Sequence, residues 1–193
     1  MKRSIWLWQL AGFAVTSFCG TILHFAYEWF GEAFWIAPFS GVNESTWEHM
    51  KLLFWPMLVF AILQSFYFKN RKDFWWVKTC GITLGLALIP LIFYAYNGVI
   101  GHSPDWINIA IFFISAAAAY SYEGVLFKKE LRFPQKKIIP ILILSSVALL
   151  FVIFTFITPE IGIFKDPLKL CEASLSKASR LNLPLADEIR QVG

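Results

Sequence analysis

The stretch IWLWQLAGFAVTSFCGTILHFAY, residues 5–27, decides the fold. It follows Lys2 and Arg3 as the apolar part of a secretory leader would, but it outruns the roughly 7–15 residues of such a region and offers no small-x-small cleavage site. At about 1.5 Å rise per residue it is long enough to cross a bilayer core of about 30 Å. It therefore reads as a first transmembrane helix. Four further apolar runs of similar length follow, at about 48–68, 74–96, 105–127 and 137–157.

The composition agrees. Of the 193 residues, 58% are hydrophobic and only 16% are charged, outside the usual balance of a soluble domain. Twenty Phe and nine Trp suit a bilayer interior and its interfacial belts. The net charge of +4 does not point to nucleic acid, because the basic residues fall in short runs between the apolar segments. Cys19, Cys80 and Cys171 form no CxxC pair, so neither a disulfide framework nor a thiolate metal site is expected.

Those basic runs set the expected orientation. Lys2 and Arg3 precede the first span; Lys69, Arg71, Lys72 and Lys78 lie around the second connection; Lys128, Lys129, Arg132, Lys136 and Lys137 occupy the fourth. The intervening connections, 28–47 and 97–104, contain no Lys or Arg. By the positive-inside rule the N-terminus is cytoplasmic and, after five spans, the C-terminus lies outside. The expected fold is an all-α polytopic bundle in the cell membrane, covering 1–164, followed by a flexible polar tail over 165–193.

Several residues bear on packing. Gly81 and Gly85 form a GxxxG pair, a candidate surface for a second copy or another membrane protein, and Ser115–Ala119 gives the fourth span a small-residue face. Pro56 and Pro90 free the carbonyls of Leu52 and Leu86 and are expected to kink their helices, whereas Pro140 falls in the first turn of the fifth. Glu123, near the inner end of the fourth span, is expected to reach the interface or pair with a cytoplasmic lysine.

The chemistry gathers on the other side, where all three histidines fall. His24 and Glu28 share a helix face, with Thr21 close by. The segment NESTWEHMK, 43–51, opens the second span. Ser45 and Glu48 have capping-box spacing, Asn43 offers another cap, and Glu44 and Glu48 suit the positive end of the helix dipole. At 100° per residue Glu44, Glu48, Lys51 and Trp55 form one stripe, and Ser45 and His49 share the neighbouring face. On the structural reading, Asn43, Glu44, Ser45, Trp47, Glu48 and Lys51 make a cap and a polar network. On the functional reading, His24, Glu28, Glu48, His49 and His102 are candidate metal ligands, and Ser45, Glu48 and His49 are candidate catalytic groups.

The stretch FSGVNESTWEHMKLLFWP, 39–56, with TPEIGIFKDP, 158–167, resembles an uncharacterised family of small bacterial multi-span membrane proteins, domain-of-unknown-function family six-five-one-two. The resemblance covers about 5–167 and implies no activity. Thr158 and Glu160 stand where the family pattern has a proline and a histidine. The sequence thus leads to a non-enzymatic small-molecule handler or partner of another membrane protein. The alternative is a metal-dependent hydrolase acting on a lipid ester or amide, and only under that reading is a divalent metal such as zinc expected as cofactor. A proton-coupled transporter is the third reading and has the least behind it, since five spans give no inverted repeat.

Overall fold

The computed structural model describes residues 2–100, 105–129, 134 and 138–166. Among them are five α-helices and no strand: α1 (Lys2–Trp29), α2 (Thr46–Tyr67), α3 (Phe74–Ile100), α4 (Asp105–Lys129) and α5 (Ile138–Phe156), followed by a 3-10 turn, Gly162–Phe164. Each of the five is long and apolar enough to cross a bilayer. The apolar runs of the sequence foretold them within a few residues. His102 and the tail from Pro167 onward lie outside the described residues.

The core forms around α2, whose Leu53, Phe54, Met57 and Ala61 are fully buried. Helices α1, α3 and α4 surround it, and α5 lies along α3 with Phe151 against Phe54. α2 and α3 continue through Pro56 and Pro90 as single helices. The carbonyl of Leu52, which Pro56 deprives of its helical donor, faces Gly20 of α1, where a Cβ would lie 3.0 Å from that oxygen. A side chain there would crowd that carbonyl and lie 2.5 Å from the ring of Phe112, so glycine suits the close approach.

Two expectations are corrected here. Gly81 and Gly85 do not present a free face: a Cβ at Gly81 would collide with the side chain of Glu123, and one at Gly85 would lie 2.9 Å from Leu53 and 3.2 Å from Ala119. The small residues let α3 approach α4 within one chain, so that face is closed to a second copy. Lys78 is likewise not a solvated topogenic charge. It is fully buried, with Nζ 2.6 Å from Oε2 of the equally buried Glu123 and 5.1 Å from the centre of the Tyr120 ring. Glu123 thus has a lysine partner, as its position suggested, but inside the bundle. Tyr120 in turn shares a 2.7 Å hydrogen bond with Thr16 of α1, so polar links join α1, α3 and α4.

The end of α1 sends the chain toward the histidines. The N–H of Glu32 donates to the carbonyl of Tyr27 and that of Gly31 to Glu28, with Gly31 at φ +63°, which together make a Schellman ending. Glu32 also adopts positive φ, at 59°. Beyond it, turns over Ala33–Ser40 fold the loop back until the N–H of Gly41 donates to the carbonyl of Leu23.

Candidate functional site

α2 begins at a cap. Ser45 is extended (φ −71°, ψ 153°), and its Oγ accepts from the Glu48 N–H at 3.4 Å. The reciprocal half of the capping box is replaced. The Glu48 carboxylate turns to Lys51 Nζ at 2.6 Å and accepts from the Val42 N–H at 2.8 Å, while the Ser45 N–H donates to Oδ1 of Asn43 at 2.9 Å.

Lys51 explains why. Its side chain is fully buried, and its ammonium also donates to the Ala37 carbonyl at 2.9 Å and the Thr155 hydroxyl at 3.0 Å. An ammonium has three protons, and here each has an acceptor. One turn on, Trp55 Nε1 donates to the Pro38 carbonyl at 2.9 Å. The stripe Glu48–Lys51–Trp55 therefore fastens the 30–45 loop to α2 and ties both to α5. Trp47 adds an aromatic clasp on Phe151, Phe154 and Phe164, which holds the 3-10 turn against the start of α2.

The neighbouring face of α2 is arranged differently. His49 Nδ1 lies 3.0 Å from the Ser45 carbonyl, which can only accept, so Nδ1 carries a proton, and in the neutral imidazole Nε2 is the nitrogen with the lone pair. That Nε2 lies 3.6 Å from one oxygen of Glu44, and the other oxygen of Glu44 lies 3.5 Å from His24 Nε2. The two imidazole centres are 5.8 Å apart. The three ligating atoms, from α1, the loop and α2, all lie within 4.8 Å of one another, and each residue is partly exposed. Asp166, just past the 3-10 turn, acts on His49 through its charge.

A small cleft adjoins this cluster, with room for about one water molecule. Glu44, Thr46 and His49 line one side, and Phe93 of α3 with Asn108 and Phe112 of α4 line the other.

Of the residues singled out in sequence, His24 and His49 are brought together. Glu28, one turn beyond His24, is exposed and is not part of the cluster, and Glu48 is directed into the Lys51 staple. The Ser45 hydroxyl serves the cap, and only its carbonyl meets His49. The carboxylate that joins the two histidines is Glu44, which sequence spacing associates only with the cap, the dipole and the stripe. That periodic stripe does not point to His24, because Glu44 lies in the loop and reaches His24 across a separation of twenty residues.

These features define a class: a multi-pass helical membrane protein with a histidine–carboxylate cluster where α1, the first connection and α2 meet. The chain belongs to the family of unknown function DUF6512, whose model matches residues 2–170. No curated protein matches it, and no solved structure does.

Proposed function

We propose that this protein is a non-enzymatic metal-binding protein of the membrane, holding a zinc-type transition-metal ion between His24, Glu44 and His49 at the extracytoplasmic end of its bundle. The observation that carries the reading is the spacing. A histidine–carboxylate hydrogen bond is about 2.7–2.9 Å long, whereas both contacts of Glu44 are 3.5–3.6 Å. Two ligands on a tetrahedral zinc, each about 2.0–2.1 Å from the metal, stand about 3.3–3.4 Å apart. Glu44 is thus spaced from both imidazoles like a co-ligand. Closing the third edge needs a small rotation of His24, whose side chain is 30% exposed.

The tautomer supports the same reading. A metal-binding imidazole commonly donates its other N–H to a backbone carbonyl or carboxylate, and His49 Nδ1 meets the Ser45 carbonyl. Nitrogen and oxygen donors without thiolate suit zinc and its divalent neighbours better than copper(I). The extracytoplasmic placement rests on the basic runs, which lie at the opposite ends of the helices. A hydrolase acting on lipid esters is the second reading. In its favour is the cleft beside Glu44 and His49; against it is the water-sized room, well short of an acyl chain.

The test is metal stoichiometry and affinity of the purified full-length chain in detergent. One zinc per chain is expected, with binding weakened by more than about 100-fold in His49→Ala and Glu44→Gln, a larger loss than outer-shell changes usually cause. Glu28→Gln should bind as the parent does. Zinc binding that survives both ligand substitutions, or that never occurs, refutes the reading.

A further inference from the structure

We infer that the metal held by His24, Glu44 and His49 keeps one exchangeable coordination position, directed into the cleft between α2, α3 and α4, which takes water or a small monodentate anion. The inference rests on the metal reading above and goes one step further, to what the metal itself binds.

Among the described residues three side chains offer ligand atoms, which leaves a tetrahedral ion one position short, the arrangement of metal sites that exchange a ligand. The cluster and the cleft share two residues, Glu44 and His49, so an ion between those side chains borders the cavity directly. The far wall is mostly apolar, with Phe93 and Phe112, and carries one amide, Asn108; Thr46 supplies a hydroxyl on the near side. A volume close to one water admits water or the bound end of a small linear anion whose remainder points out of the cleft, and excludes a bulky ligand. A single carboxylate with two neutral imidazoles leaves a divalent ion with net positive charge, which favours an anion over a neutral ligand at the open position.

Among the described residues the competing occupant is Asp166. Its carboxylate acts on His49 electrostatically, and the turn before it is clasped to Trp47. It is nevertheless outside the set of atoms lying within 4.8 Å of one another. Asp166 thus stands near the cluster without joining its three ligating atoms, whereas the cleft is lined by two of the three ligands.

The experiment loads the full-length protein with cobalt(II) and follows its visible absorption while sodium azide is added. We expect azide to shift the cobalt bands saturably in the parent protein, while imidazole, too large for the cleft, does not. Phe93→Ala should then admit imidazole. If cobalt binds but azide leaves its spectrum unchanged, the inference is overturned. An azide response that appears only in Asp166→Asn overturns it as well, because it makes Asp166 the fourth ligand. No cobalt spectrum at all would take down the metal reading itself, a separate failure.

Discussion

Lys51→Met isolates the polar role of the lysine while keeping an unbranched apolar side chain in its channel. The ammonium is fully buried and serves three acceptors: Glu48 at 2.6 Å, the Ala37 carbonyl at 2.9 Å and Thr155 at 3.0 Å. Met fills most of the space, so little cavity forms and the loss is chiefly electrostatic. Removing one member of a buried ion pair typically costs about 3–5 kcal/mol, because the other charge is left with too few partners. Here Glu48 keeps only the Val42 N–H. At about 2–4 °C per kcal/mol for a chain of this size, the midpoint of thermal unfolding in detergent should fall by about 6–20 °C. Glu48→Gln combined with Lys51→Met should recover part of that, since no charge is then left buried. Zinc affinity should fall in Lys51→Met although Lys51 is no ligand, because its bond to Ala37 holds the loop that carries Glu44. A midpoint within a degree or two of the parent, or single effects that simply add in the double variant, would refute the staple.

The buried pair in α3 and α4 should behave similarly: Lys78→Met is expected to destabilise by about 3–5 kcal/mol, with partial recovery on adding Glu123→Gln, as a double-mutant cycle by thermal unfolding would show. Gly81→Ala should cost at least about 1–3 kcal/mol in the same assay, because its Cβ would strike Glu123. Gly31→Ala should cost about 1–2 kcal/mol through its positive φ alone, since no atom lies within 4 Å of the added carbon. Glu32→Gly, at a position with φ 59°, should raise the unfolding midpoint. For orientation, a reporter fused after Lys72 should be cytoplasmic, and finding it on the other side would reverse the assignment.

The helices were legible because hydropathy over twenty residues is a local property, and the cap at Ser45 because it spans three. What was not legible depends on which residues meet across the bundle. Lys78 and Glu123 are 45 residues apart, and a rule that counts basic residues near helix ends cannot tell a solvated lysine from one sunk beside a carboxylate. The GxxxG pair signals close helix approach without naming the partner, and here the partner is α4 of the same chain. Glu44 was the hardest to read. Its neighbours Ser45 and Glu48 account for the local motif, and its contact with His24 exists only because the Schellman ending and the Lys51 staple fold the loop back.

That division bears on how a polar site persists at the rim of an apolar bundle. Charged groups inside a membrane protein are costly unless partnered. On one face of α2 the cost is offset internally: Glu48, Lys51 and Trp55 are satisfied by one another and by the loop and α5. On the next face, the hydrogen bond of His49 is made by Nδ1, and Glu44 stands 3.5–3.6 Å from both imidazoles, an ion-pair rather than a hydrogen-bond distance. The satisfied face fixes the backbone from which the other projects, so donor positions at His49 and Glu44 can be held in place without mutual hydrogen bonds. The two faces should therefore separate experimentally. Substitutions on the staple should lower stability and metal affinity together, whereas His49→Ala should lower affinity with little change in the unfolding of the metal-free protein. If His49→Ala instead unfolds the metal-free chain as readily as Lys51→Met does, the histidine belongs to the scaffold and the metal reading loses its basis.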